Sequence, residues 1–227
     1  MLPTVYSKDF VWESENDYGF KELDMSTYAR RAHFDYFRSL AYPYVGVTVN
    51  VDITDLVRKA KEEELPFFLS LCYCVAQAAN AVPEFRQRIH GDGIIQYDWC
   101  QTSHTVALED GTYCYCTLES DMSFRDYLPR AQETQELARQ QRSLTDGEDG
   151  DSLLFISSIP RISYTALVQP APFPADSNPR ITWGKYFAQG DRYLLPLSVL
   201  CHHALVDGLH ISRFYDTLDM VLSSLFS

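Results

Sequence analysis

The sequence predicts a mixed α/β fold with a strong antiparallel component, and two observations carry that prediction. Apolar positions recur with a helical period in some segments and alternate every second residue in others, the two kinds interleaved along the chain. Strand-like runs are joined by Asp110-Gly111 and Gly190-Asp191, dipeptides with the composition of hairpin turns. At 227 residues and 46% apolar side chains the chain can bury a substantial core, and it is taken as one domain, residues 1–227.

From the N-terminus, Ser26–Arg38 reads as a helix with Ser26 or Thr27 as its cap, and Val45–Ile53 alternates as a half-buried strand does. Asp55–Glu64 and Pro66–Ala81 read as helices, the second so apolar that it should be buried on several sides. Strands are expected at Gly93–Tyr97, Thr105–Leu108 and Tyr113–Leu118, followed by a helix from Ser123 to about Arg142. The polar, glycine-containing stretch Gln140–Asp151 reads as a surface loop. Further strands are expected near Leu153–Ser157, Ser163–Leu167, Ile181–Ala188 and Tyr193–Leu200, with a proline-rich loop at Gln169–Arg180. Ser212–Leu225 closes the chain as an amphipathic helix with Phe214, Leu218, Val221, Leu222 and Leu225 on one side.

Lysine and arginine number 19 against 31 aspartates and glutamates, a formal charge of −12. A broad cationic surface for nucleic acid is therefore excluded, and any polyanionic ligand needs a local basic site. No apolar run has the length and purity of a membrane span, and Met1–Trp12 lacks a basic-then-apolar signal pattern, so the expectation is a soluble, cytoplasmic protein. Six cysteines, Cys72, Cys74, Cys100, Cys114, Cys116 and Cys201, lie inside apolar runs and are expected as reduced, buried thiols. The single residue inside the pairs Cys72/Cys74 and Cys114/Cys116 is shorter than the spacing of zinc ligand pairs, and no metal site is expected.

The sharpest local signal is Cys201-His202-His203-Ala204-Leu205-Val206-Asp207-Gly208-Leu209-His210, which follows a strand and holds three of the six histidines. Three readings compete. Imidazoles and a carboxylate are good metal ligands, but adjacent residues of an extended segment point to opposite faces, so one ion can hardly take both His202 and His203. One histidine could instead be a hydrogen-bonded core residue, with Asp207-Gly208 a turn. In the third reading His203 is a general base, since a neutral imidazole with a reference pKa of ~6.5 takes up and returns a proton near neutral pH. Asp207 would then pin the loop by pairing with a cation elsewhere, for which an arginine is suited.

This segment, preceded by Gly190-Asp191-Arg-Tyr-Leu-Leu-Pro-Leu-Ser198-Val, resembles the active-site signature of the chloramphenicol acetyltransferases. Three further motifs follow in family order: Tyr28-Ala-Arg30-Arg31-Ala-His33-Phe34, Ile156-Ser157-Ser158-Ile-Pro160 and Ile181-Thr182-Trp-Gly-Lys185-Tyr186. The resemblance implies a two-layer α/β sandwich with a largely antiparallel sheet, a homotrimer with active sites at its subunit interfaces, and acetyl-CoA as co-substrate. It implies that His203 deprotonates the hydroxyl of a small acceptor, that Ser157 stabilises the oxyanion with Thr182 assisting through water, and that Asp207 pairs with Arg30. Lys185 and Tyr186 match cofactor-binding positions.

The acceptor pocket departs from the pattern. Arg161 follows Pro160 where the family has tryptophan, Phe37 stands where an acceptor-contacting tyrosine is common, Ala107 where a phenylalanine often lines the pocket, and Glu62-Glu63-Glu64 where a second lysine is expected. Acetyl transfer is thus separable from the choice of chloramphenicol as acceptor. The competing expectations are a dihydrolipoyl-type acyltransferase domain, disfavoured because no lipoyl-bearing segment precedes Ser26, and a catalytically silent protein that binds coenzyme A or another ligand.

Overall fold

The computed structural model describes residues 19–145 and 150–226. The N-terminal stretch Met1–Trp12, read above for a signal pattern, and residues 146–149 of the loop expected at Gln140–Asp151 lie outside the described residues. The elements run β1 (Phe20–Glu22), α1 (Arg31–Arg38), β2 (Tyr44–Asp52), α2 (Thr54–Glu62), α3 (Phe67–Asn80), β3 (Gln87–His90), β4 (Gly93–Tyr97), β5 (Thr102–Ala107), β6 (Tyr113–Leu118), α4 (Phe124–Gln141), β7 (Leu154–Ser158), β8 (Arg180–Trp183), β9 (Phe187–Gln189), β10 (Arg192–His202) and α5 (Gly208–Phe226). A seven-stranded sheet has the order β2-β10-β8-β7-β5-β6, with β9 also on β10, and a small sheet has the order β1-β4-β3. Among the described strands only β5/β7 and β7/β8 are parallel; the other pairs are antiparallel, as in the predicted mixed α+β class.

One face of the large sheet carries the helices. Ile156, Ile181, Trp183, Leu195, Leu197 and Val199 point from it into a core shared with Leu71, Val75 and Ala78 of α3 and with Phe214, Leu218 and Leu222 of α5. Helix α3 is buried on nearly every side, which is what an all-round apolar helix requires. A second cluster joins Val106, Cys114, Cys116 and Leu118 of β5 and β6 to Tyr127 and Ala131 of α4. All six cysteines are buried free thiols. Helix α4 begins as expected at Ser123, whose Oγ accepts the Asp126 N–H at 3.2 Å.

Three expectations are corrected, and the strand β3 is an addition to them. Helix α1 begins at Arg31, because Ser26 gives its hydroxyl proton to Asp24 (2.6 Å) in a tight turn instead of capping a helix. Ile181–Ala188 is two strands, β8 and β9. Pro196 of β10 lies opposite the break, has no N–H to offer, and accepts only the Gly184 N–H through its carbonyl (2.9 Å). Ser163–Leu167 is no strand: β7 is already paired on both edges, so this segment crosses the sheet face opposite the helices within an irregular loop, 159–179. The polar strand β3 carries no apolar alternation, and it forms because Arg88, fully buried, donates to the carbonyls of Phe85, Gln87, Asp151 and Leu153 at 2.6–3.0 Å.

Gly184 sets how closely the loop approaches the sheet. A Cβ there would meet the Ile162 carbonyl oxygen at 2.6 Å and the Tyr164 ring at 2.9 Å. Gly184→Ala is expected to destabilise the fold by about 1–3 kcal/mol in urea unfolding and to lift the loop from the sheet. His104 and His202, 1% and 4% exposed, have pKa values lowered from 6.5 to about 4, chiefly by burial. Both stay neutral when folded, whereas in the unfolded chain they protonate near 6.5, so unfolding takes up protons as pH falls between those values. Stability should therefore fall on acidification from about pH 6.5 towards 4, and His104→Gln should flatten that slope in urea titrations run at each pH.

Candidate active site

Strand β10 makes its last ladder pair at His202, opposite Tyr44, and the His203 N–H continues to the Pro43 carbonyl at 2.7 Å. The chain then turns, with the N–H groups of Leu205 and Val206 both on the His202 carbonyl at 3.0 Å, and enters α5 at Gly208. The two histidines differ accordingly. His202 lies edge-on to Tyr44 (5.8 Å between centroids), and its Nδ1 accepts the Ala204 N–H at 3.2 Å. His203 is half-buried and stacks on Phe37 of α1, 3.8 Å between centroids at 25°.

The decisive contact of His203 is between its Nδ1 and the Val206 carbonyl oxygen, 2.9 Å apart. A carbonyl only accepts, so Nδ1 carries the proton and Nε2 keeps its lone pair. A neutral imidazole held in this tautomer can take a proton at Nε2.

Asp207 makes no bond to His203. One carboxylate oxygen pairs with Arg30 Nη1, just before α1, and the other accepts the Leu209 N–H at 3.0 Å, which caps α5. Burial opposes the ionised carboxylate, but the Arg30 bond and the neighbouring charges hold its pKa below the usual value. Behind it, His210 Nδ1 lies 3.0 Å from the Asp207 N–H and His210 Nε2 3.5 Å from Glu84 Oε1. The ion pair and the Phe37–His203 stack thus join α1 to the β10–α5 turn at two points.

A second constellation lies on the sheet face opposite the helices. Ser157 is paired with Thr182, Thr182 with Ser198 and Ser198 with Thr48, so β7, β8, β10 and β2 carry one row of hydroxyls. Thr48 and Ser198 are hydrogen-bonded at 2.7 Å, and Ser198 reaches Tyr164 Oη at 3.3 Å. Tyr164, from the covering loop, donates to the Thr182 carbonyl (2.8 Å), and Thr182 Oγ1 donates to Gln169 Oε1 (3.0 Å). Lys185 and Tyr186 follow at the β8–β9 break. Lys185 is exposed, and Tyr186 packs against Phe67 at the start of α3 (5.5 Å) and edge-on to Tyr193 (5.7 Å). Ala107 is exposed at the end of β5, and Arg161 is exposed at the start of the covering loop.

The structure therefore gathers the predicted residues into two groups. Arg30, Phe37, His203 and Asp207 share one end of β10, while Thr182, Lys185 and Tyr186 lie beside its middle, with Ser157 one strand further away on β7. Thr182 is level with Ser198, and His203 is five residues further on, a separation of about 16 Å along an extended strand. Gln169, Tyr164 and Phe67 were not singled out from the sequence; they join the second group only through the path of the loop and the packing of α3, and no local motif marks them. Among the described residues no group of three His, Cys, Asp or Glu side chains is arranged to hold a metal, and no helix is long and apolar enough to cross a membrane.

The family model described as chloramphenicol acetyltransferase matches residues 18–219. Chloramphenicol acetyltransferase from Klebsiella sp is 30% identical over 205 residues, covering 88% of this chain and 92% of that protein. Chloramphenicol acetyltransferase 2 from Escherichia coli is 31% identical over 216 residues, covering 91% and 98%. A solved chloramphenicol acetyltransferase superposes with a TM-score of 0.80 at 25% identity, over 90% of this chain and 100% of that one. A probable dihydrolipoamide acetyltransferase from Listeria monocytogenes shares the fold, with a TM-score of 0.64 at 19% identity over 86% and 89% of the two chains. The two groups of residues along β10 thus belong to an acyltransferase, and the chain is a member of the chloramphenicol acetyltransferase family.

Proposed function

We propose that the protein is an acetyl-CoA-dependent O-acetyltransferase acting on the hydroxyl of a small acceptor, with His203 as general base. The observation that carries this reading is the Nδ1–Val206 contact, which leaves His203 Nε2 as the proton acceptor. Nε2 takes the proton of the acceptor hydroxyl as its oxygen attacks the thioester carbonyl. The carbonyl oxygen becomes an oxyanion, and Ser157 donates to it. Collapse breaks the carbon–sulfur bond, and His203 returns its proton to the departing thiolate of coenzyme A. Each oxyanion donor is typically worth about 3–4 kcal/mol of barrier. Arg30 and Asp207 act by holding the turn that aims His203.

The exposed Lys185 suits a phosphate of the co-substrate and the Phe67–Tyr186 pair suits its adenine, a local provision for an anion on a chain of charge −12. Phe37 and Ala107 border the acceptor. With Phe37 in place of a tyrosine, Ala107 in place of a phenylalanine and Arg161 in place of a tryptophan, chloramphenicol is one alcohol to test, not the presumed substrate. The buried, reduced thiols go with a cytoplasmic setting.

We further read the chain as a single domain that works as a homotrimer. A base that leaves the end of β10 and an oxyanion donor on β7, level with a point about 16 Å back along β10, cannot serve one carbonyl. Two copies can bring the His203 end of one against the Ser157 row of the next. The sheet-edge strand β2, with Val47 39% and Val49 37% exposed, and Tyr36 of α1, 62% exposed, offer apolar surface for such a contact.

Purified protein incubated with acetyl-CoA and a panel of alcohols, chloramphenicol included, should release free thiol with at least one acceptor. His203→Gln should lower kcat by at least about 10³-fold while the melting temperature stays within a few degrees. Acetyl-CoA binding without turnover on any acceptor would favour the silent binding protein instead. The two-copy site has its own test: co-expressed His203→Ala and Ser157→Ala chains, each inactive alone, should recover activity approaching a quarter of wild type, since about one interface in four then pairs two intact halves. No recovery in mixed oligomers would place both groups in one chain.

A further inference from the structure

Thr182 has a single hydroxyl proton, and in this fold that proton goes to Gln169 Oε1 at 3.0 Å. Thr182 so arranged has no proton of its own to give an oxyanion directly. The same bond engages the oxygen of the Gln169 carboxamide and leaves its nitrogen, about 2.2 Å from that oxygen, with two N–H donors. Gln169 is half-buried, and the loop that carries it is held on the sheet by Tyr164 to the Thr182 carbonyl (2.8 Å) and by the Lys185 N–H to the Ile162 carbonyl (2.7 Å). Ser157 stands opposite Thr182 on the adjacent strand, about 4.8 Å away between backbones. Gln169 and Ser157 are thus both neighbours of Thr182, one through its side chain and the other across the β7–β8 ladder.

We propose that Gln169 is a catalytic hydrogen-bond donor of this acyltransferase: its Nε2, oriented by Thr182, donates to the thioester carbonyl oxygen beside Ser157 as that oxygen becomes the oxyanion. The assignment rests on the acetyl-transfer reading above. A carboxamide has no proton to transfer near neutral pH, so Gln169 contributes only a bond that strengthens as charge develops. Thr182 is then a positioning residue, and its effect on catalysis passes through Gln169.

The test compares wild type with Gln169→Ala, Gln169→Glu, Thr182→Val and the Thr182→Val/Gln169→Ala double variant. Gln169→Glu keeps the shape and the bond from Thr182 but turns the donor into an acceptor. Gln169→Ala should lose about 10²-fold in kcat and Gln169→Glu more, with KM for acetyl-CoA within a few-fold of wild type. The double variant should lose no more than Gln169→Ala alone. A readout that needs no turnover is the infrared carbonyl stretch of bound acetyl-CoA labelled with carbon-13 at the thioester carbonyl, which should rise in folded Gln169→Glu relative to wild type. Wild-type kcat in Gln169→Glu together with an unmoved carbonyl band overturns the assignment. A wild-type enzyme that acetylates no alcohol while the band still moves sinks the acetyl-transfer reading and with it the catalytic role, leaving Gln169 a donor to the bound carbonyl only; one that does not bind acetyl-CoA overturns both.

Discussion

The hydrogen-bonding of β10 along both edges is the constraint on which the rest of the structure depends. It pairs with β2 from Leu194 to His202 on one side, and with β8 and β9 on the other. A strand's side chains alternate with a period of two, so a slip of one residue would turn Leu195, Leu197, Val199 and Cys201 out of the core and drive Ser198 into it. Burial of that apolar set is what holds the register. The same register brings Thr48, Ser198, Thr182 and Ser157 level with one another and ends the strand where His203 can leave it. Pro196 adds a local consequence: by withholding an N–H it breaks the partner strand between Trp183 and Phe187, where Lys185 and Tyr186 emerge.

Charge does different work at the two ends of the site. At the β10–α5 turn a half-buried carboxylate is retained because Arg30, the Leu209 N–H and His210 surround Asp207; removing one partner would leave the others desolvated and unmatched. The imidazole itself is tied to a backbone carbonyl, which sets its tautomer without lending it a charge. On the sheet face the contacts are neutral hydroxyls and one carboxamide, suited to a site where negative charge appears only in passing. A net charge of −12 is compatible with an anionic co-substrate only if basic groups such as Lys185 are placed locally.

Much of the fold was legible in the residues because its elements are strongly patterned. Gly93–Tyr97 and Tyr113–Leu118, rich in isoleucine and tyrosine, fold as strands with those bounds, and the largely apolar Phe67–Asn80 folds as a buried helix. Failures came where tertiary contacts override local pattern. Ser26 is a good cap that is bound by Asp24, Ser163–Leu167 has strand composition but is held across the sheet face by the Tyr164 hydroxyl on the Thr182 carbonyl, and β3 is a polar strand whose buried arginine is satisfied by four backbone carbonyls. Within the site, the His203–Asp207 segment stood out because its histidines cluster in the chain, whereas Gln169 sits in a proline-rich loop that nothing local marks.

By itself the sequence determined the type of its strongly patterned elements, the burial of the free cysteines and the family motifs, since periodicity, composition and motif spacing are local properties of the chain. Only the tertiary structure decided that His203 is protonated at Nδ1, that the Thr182 proton is spent on Gln169, and that the base and the hydroxyl row lie about 16 Å apart along β10. Each of these depends on which distant backbone lies alongside another, and that is set by cooperative burial of the core, not by any neighbouring residue.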